Sequence, residues 1–545
     1  MSAAADAGPG DARRRLLLAV LVVAGATLAA WGWVLVLPLA TGADVWPILA
    51  QARRALSDPS VLLRERYLEG LWDGARFWRP GLVGFAAIEW AAFGEAAAGY
   101  HAVRLVLAAA VALLVGTLAT RRGGRPAVAF GIAALAVLWH PLRVETIPAV
   151  ARDADSLFNL ALALTVFWLA GAREARSAGP LVAGALAALL APLFKEPGLL
   201  APVIGFAVLE PWRHRDPRRG RAIAGAAVLG AGLAVHVAWR LALLGTLGGY
   251  EQTWVDLTRR EALWASFLAL CDHQAFGLWP LVLAAAGLAL VFAGLGAEDS
   301  PAPAAGAGWR RIRLGAWIWI AGMLAAIVMS SRFRSRYVEA ALVPLALLAG
   351  GWIAALAARA ARRGPGAWRL AAAVAASVAV ALAVLPGSPL VWRYPQWTEA
   401  ARIGERVLGE VARLAGEAPA DGAAVTSRLG RVSLAARRLP DDGGLELALS
   451  PFPYKVAEPE GPRTGSITTV VIMGQQTLEG FAEMRALPRP LLVRRGPPAL
   501  DLRLADLEPA VSPPVRGSAP AASSPSPRPA PGTPAPRPGA APAPR

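Results

Sequence analysis

Long apolar runs separated by short polar segments fill the chain from residue 16 to residue 388. The runs predict eleven membrane-spanning helices at 16–39, 99–119, 127–140, 157–171, 179–194, 199–212, 222–245, 276–296, 314–330, 338–357 and 369–388. A bilayer core asks for about 20 residues per helix. The runs at 127–140 and 199–212 are shorter than that, so the count is good to one or two. Six arginine-rich segments lie before or between runs: Arg13 to Arg15, Arg121 to Arg125, Arg173 to Arg176, RHRDPRRGR at 213–221, WRRIR at 309–313 and ARRGPGAWR at 361–369. Eleven spans put all six on one side. Loop arginines face the cytoplasm, so the amino terminus is expected inside and the carboxyl terminus outside. Trp31, Trp33, Trp139, Trp212, Trp279 and Trp352 fall near run ends, where interfacial aromatics belong.

Other segments read differently. RPGLVGFAAIEWAAFG at 79–94 is too short to span and carries Glu89 at its middle, which suggests a helix lying along the membrane surface. Beyond residue 390 the pattern turns mixed. WRYPQWTEAARIGERVLGEVARLAG repeats its apolar residues at helical spacing, and GSITTVVIMG at 465–474 and RPLLVRRG at 489–496 read as strands. The expected architecture is a polytopic α-helical membrane domain over 1–390, a small extracytoplasmic α+β domain over 391–511, and a Pro/Ala-rich tail over 512–545 that has too little apolar surface to fold.

Composition sharpens this picture. The chain is 56% apolar, with mean hydropathy +0.45. Its 55 Lys and Arg against 38 Asp and Glu give a net charge of +17, but the only lysines are Lys195 and Lys455 and the arginines sit mainly in loops and tail. That placement speaks for membrane topology and against nucleic-acid binding. A single cysteine, Cys271, excludes an internal disulfide and a cysteine-rich metal site. The arginines before the first run resemble a signal peptide, yet the run is long and lacks a clear cleavage site, so it is expected to remain as a span.

The loops expected outside hold the chemistry. WHPLRVETIPAVARDADSL at 139–157 crowds His140, Arg143, Glu145, Arg152, Asp153 and Asp155 between two apolar runs. Asp44 follows the first span, Lys195-Glu196 separates two others, and SRFRSRYVE at 331–339 places Arg332, Arg334 and Arg336 where the positive-inside rule expects few cations. Bland readings exist for each: interfacial arginines reaching headgroups, helix caps for Asp44, Asp153 and Asp155, and a local Arg143–Glu145 ion pair. His101 and His140 read as packing residues, since no histidine or acid spacing points to a tightly held metal.

In order along the chain, Asp44, Arg79-Pro80, Tyr100-His101, His140-Pro141, Glu145, Arg152 with Asp155, Lys195-Glu196 and Arg336-Tyr337 resemble the motif series of O-mannosyltransferase-like proteins. These belong to the GT-C superfamily of polyprenyl-phosphate-sugar-dependent glycosyltransferases, and the resemblance covers roughly residues 10 to 400. It implies a GT-C-like fold in a bacterial-type cytoplasmic membrane and sugar transfer from a polyprenyl-phosphate donor to a protein, lipid or polysaccharide hydroxyl on the outer face. Asp44 would be the base that takes the acceptor proton, with Glu145 and Asp155 as rivals. Arg79, His101, His140, Arg152, Lys195, Glu196, Arg334, Arg336 and Tyr337 would bind substrate, arginine being suited to phosphate by its planar fork. One face of attack would invert the anomeric centre. Relatives often carry two adjacent acids where this chain reads Ala43-Asp44-Val45, which weakens the case for a divalent cation (Mg or Mn) bridging phosphate and Asp44. Two readings from other classes stay open, a transporter or flippase of a lipid-linked or anionic substrate and a non-catalytic envelope scaffold.

Overall fold

The computed structural model describes residues 9–39, 44–67, 75–123, 125–140, 143–144, 146–172, 174–213, 219–250, 307–329, 335–362, 395–453, 475–488, 490–496, 498–499 and 502–508. The expected spans at 276–296 and 369–388, the strand at 465–474 and the tail at 512–545 lie outside the described residues.

Helix α1 (Pro9–Trp31) runs on into a 3-10 turn, Gly32–Val36. α2 (Val45–Ser57) and a one-turn α3 (Val61–Arg64) follow in the first loop. After the two-residue strand β1 (Ala75–Arg76) come α4 (Pro80–Phe93), α5 (Ala97–Thr120), α6 (Pro126–Trp139), α7 (Asp153–Ala172), α8 (Gly179–Phe194), α9 (Leu200–Leu209) and α10 (Arg219–Leu244). Prolines at the first turns of α4, α6 and α8 need no backbone N–H there and preset the helical φ. β2 (Gly249–Tyr250) pairs antiparallel with β1. α11 (Ala307–Met329) and α12 (Ser335–Arg362) close the membrane region.

The chain is a polytopic α-helical membrane protein. Among the described residues, five segments are long and apolar enough to cross a bilayer: Arg13–Val36, Ala97–Thr120, Val150–Ala172, Arg219–Leu244 and Glu339–Ala358. α4, α6, α8 and α9 are apolar but shorter. At 1.5 Å per residue the fourteen residues of α6 reach about 21 Å, against the roughly 30 Å of a hydrocarbon core. Leu16, Leu17, Leu18 and Leu21 on α1 stay largely exposed, as expected when the solvent is lipid. α7 is the central helix. It packs on α5, α8, α9 and α11, and its Phe158, Leu162, Val166 and Leu169 are fully buried.

α4 is the helix expected at 79–94. It packs against α2, α3, α5 and α8, and Glu89 is buried. Arg104 of α5, equally buried, lies 3.5 Å from the Glu89 carboxylate and meets Asp153 as well. A buried acid persists because cations pair with it.

Toward the carboxyl terminus, α13 (Pro395–Glu417) packs on a four-stranded sheet formed by β3 (Val425–Leu429), β4 (Val432–Arg438), β5 (Leu445–Ser450) and β7 (Leu491–Arg495) in the order β3-β4-β5-β7. β3, β4 and β5 are antiparallel neighbours, while β7 lies parallel to β5. The β5–β7 connection carries β6 (Phe452–Pro453), which pairs with β8 (Pro498–Ala499), and helix α14 (Gln475–Met484). Ile403, Val407, Val411 and Leu414 form the helical stripe that buries Leu434, Leu447 and Leu449. This α+β region packs with the membrane helices into one compact unit.

Candidate active site

The bundle has two charged ends of different character. At one, the basic loops meet: Glu210 is 2.5 Å from Arg310 and 3.6 Å from Arg311, Arg311 reaches Glu174 at 3.2 Å, and Arg122 lies over the Trp309 ring. At the other end the acidic and basic residues of the candidate site come together.

Asp44 precedes the first residue of α2. Its carbonyl accepts the Ile48 N–H at 3.1 Å, but its carboxylate makes no capping bond to the helix. The plain N-cap role is therefore not what the side chain performs. Its Oδ2 lies 3.6 Å from Nη1 of Arg152, close enough for ionic attraction and too long for a hydrogen bond. Arg152 closes the 3-10 turn Val150–Arg152 that leads into α7.

Arg79, just before α4, donates Nε–H to Oε1 of Glu196 at 3.0 Å and Nη2–H to Oε2 at 2.6 Å. This is the planar two-bond match that guanidinium and carboxylate allow. The Arg79 guanidinium also sits 4.9 Å from the Tyr67 ring centre and 4.6 Å from that of Phe77. A second guanidinium, that of the fully buried Arg240, approaches Glu196 at 3.8 Å and donates to the carbonyls of Pro192 and Trp78 at 2.6 and 3.1 Å. Burial pushes the Glu196 carboxyl up, but Arg79 and then Arg240 outweigh that and hold it below the usual carboxylate range. Tyr67 joins the two groups, since its buried hydroxyl feels the charges of Arg79, Asp44, Arg152 and Glu196.

Deeper in, the Lys195 ammonium contacts the Asp155 carboxylate, and Arg143 pairs with Glu339 of α12. Glu339 is within electrostatic reach of Asp155 and Lys195, so these four form one buried group. Arg143 meets an acid 196 residues away, where α12 brings it, while Glu145, its expected local partner, lies outside the described residues. Behind this group stands the triad of Arg104 with Glu89 and Asp153. Arg104 also donates to the Val150 carbonyl at 2.7 Å, which fixes the turn that carries Arg152. Asp153 and Asp155, considered above as caps for α7, are thus both engaged by cations from elsewhere in the chain, Arg104 of α5 and Lys195 at the end of α8.

Of the residues singled out from sequence, the structure brings Asp44, Arg79, Arg152, Asp155, Lys195 and Glu196 to one end of the bundle. His101 is fully buried in α5 beside the backbone of Leu37 and Pro38. His140 is half-buried at the end of α6. Glu145 and Arg334 lie outside the described residues. Arg336 and Tyr337 occupy the first turn of α12, with side chains outside the described residues. Among the described residues, no three His, Cys, Asp or Glu side chains gather to hold a metal ion. Sequence reading missed Tyr67, Arg240 and Glu339 as members of this network. A charge inside a span is the signal that marks Arg240 and Glu339, because such a group needs a partner.

Neither a family model nor a curated protein matches the sequence. Similar solved structures exist. The Archaeoglobus fulgidus oligosaccharyltransferase AglB, in complex with an inhibitory peptide and a dolichol-phosphate, has 14% identity and a TM-score of 0.45, over 75% of this chain and 58% of that one. The A. fulgidus oligosaccharyltransferase tethered to an acceptor peptide has 14% identity and a TM-score of 0.42, over 69% and 54%. ArnT from Cupriavidus metallidurans bound to undecaprenyl phosphate has 14% identity and a TM-score of 0.41, over 76% and 82%. The chain spans a little over half the length of the oligosaccharyltransferase chains.

Proposed function

We propose that the protein is an integral membrane glycosyltransferase that moves a sugar from a polyprenyl-phosphate donor to an acceptor hydroxyl on the extracytoplasmic face, with inversion. The observation that carries this reading is the Asp44–Arg152 juxtaposition. A carboxylate unused by its own helix stands 3.6 Å from a guanidinium. A transferase of this kind needs those two groups side by side. As the acceptor oxygen bonds to the anomeric carbon, Asp44 takes the hydroxyl proton. The bond from that carbon to the phosphate oxygen breaks, its electron pair leaves with the phosphate, and Arg152 offsets the charge left behind. Among the described acids of the site, Asp155 is engaged by Lys195 and Glu196 is held between Arg79 and Arg240, so Asp44 is the best placed to accept a proton. Lys195 and Arg336 are the next candidates for phosphate contact. In this reading residues 1–390 form the catalytic membrane domain, 391–511 an extracytoplasmic domain, and the membrane is a bacterial-type cytoplasmic one.

The test is release of polyprenyl phosphate from labelled donor by the protein in nanodiscs, with an envelope extract as acceptor source. Asp44→Asn keeps the shape and removes the proton acceptor. Transfer is expected to fall by a factor of about 10² to 10⁴, with donor binding retained. An Asp44→Asn rate equal to that of the unmutated protein moves the base elsewhere. No release by the unmutated protein with any extract refutes the transferase reading.

A further inference from the structure

The α+β region touches the candidate base's own helix. α14 lies along α2, which begins one residue after Asp44. Four contacts hold the two helices together. Gly480 is seated on Pro47 so closely that a Cβ there would lie 2.5 Å from the Pro47 nitrogen and 2.8 Å from its Cα. The Phe481 ring meets the Trp46 ring edge-on, with centroids 5.3 Å apart. Arg53 donates to the Met484 carbonyl at 2.9 Å, and Arg54 pairs with Glu483. The first two act on the turn adjoining Asp44 and the last two on the other half of α2.

From this arrangement we infer that Gly480 and Phe481 are positioning residues for Asp44: the α+β region sets the base at its working distance by gripping the first turn of α2. The inference rests on the reading of Asp44 as the base. α4 and the turn Val150–Arg152 also pack against α2. The Asp44 carboxylate gives that helix no cap, and the pair to Arg152 is 3.6 Å long. The α14 contact is made to backbone atoms of Pro47, which do not yield as a flexible side chain does. Only glycine allows this approach. A methyl group at residue 480 moves the turn by about 1 Å to reach normal contact, a displacement that costs about 10²-fold when it separates a catalytic group from its substrate.

The experiment compares Gly480→Ala, Phe481→Leu and Gly409→Ala in the full-length protein in nanodiscs. Gly409 is exposed on α13 of the same region, and a Cβ there meets nothing within 4 Å. Two readouts are taken, the kcat and donor KM for polyprenyl-phosphate release, and hydrogen exchange at the Ile48 amide, which bonds the Asp44 carbonyl. Gly480→Ala is expected to lower kcat about 10²-fold with KM unchanged and to speed exchange at Ile48. Phe481→Leu, which removes the ring contact without crowding, is expected to do both to a smaller extent, and Gly409→Ala to do neither. Unchanged kcat in both α14 variants overturns the inference, as does a loss that falls on KM alone. If the unmutated protein releases no polyprenyl phosphate while Ile48 exchange still quickens in Gly480→Ala, the reaction assigned to Asp44 has failed and the grip of α14 on α2 stands. Unchanged exchange refutes that grip.

Discussion

Glu196→Gln tests whether the Arg79–Glu196–Arg240 group is the anchor that the geometry implies. The substitution keeps the side chain's size and removes its charge. Glutamine offers one carbonyl oxygen, so Arg79 keeps one of its bonds at 3.0 and 2.6 Å and loses the other to an opposing amide N–H. Arg240, fully buried, loses the charge 3.8 Å away. Removing one partner of a buried ion pair costs about 3 to 5 kcal/mol. The pair here is about one-seventh exposed on each side, at 13% and 16%, and one bond survives, which places the effect at the lower end, about 3 kcal/mol. That corresponds to a rise of roughly 10²-fold in the local opening equilibrium.

Hydrogen exchange of the protein in nanodiscs reads the change directly, at the Gly198 amide bonded to the Lys195 carbonyl and the Val83 amide bonded to the Arg79 carbonyl. Acidity adds a second check. The folded Glu196 carboxyl titrates below its ordinary value, so its contribution is complete above the ordinary carboxylate range and is lost as pH falls through the lower folded value. Glutamine does not titrate. The gap between the two proteins is therefore expected to be constant above about pH 5 and to close on further acidification. Equal protection in both proteins at pH 7, or a gap that widens in acid, refutes the reasoning.

Arg104→Met leaves Glu89 and Asp153 facing each other without a cation, and is expected to destabilise the α4–α5–α7 packing by about 3 to 5 kcal/mol; thermal unfolding in nanodiscs unchanged from the parent contradicts this. Reporters fused after Arg122, Arg176 and Arg362 are expected to give a cytoplasmic signal and one after Gly443 an outside signal; a cytoplasmic Gly443 contradicts the outer-face assignment of the candidate site, because α14 of the same region packs on α2 beside Asp44.

The membrane helices were legible from the chain alone because a bilayer imposes a one-dimensional rule, an apolar stretch long enough to cross it. The runs at 99–119, 127–140, 179–194 and 222–245 correspond to α5, α6, α8 and α10 with ends within a few residues. The stripe of α13 and the strand β7 were legible for the same reason, since periodicity is local. Which charges meet was not local. Arg79 pairs with a carboxylate 117 residues away, Arg143 with one 196 residues away, and Arg53 with a carbonyl 431 residues away. An ionic group at a helix end takes whichever opposite charge the packing brings within a few ångströms, and burial then makes that choice costly to undo. Sequence placed acids and arginines near the ends of the spans; the packing of α4, α7, α12 and α14 decided that Glu89 would be buried, that Asp44 would stand beside Arg152, and that the α+β region would hold the helix that follows it.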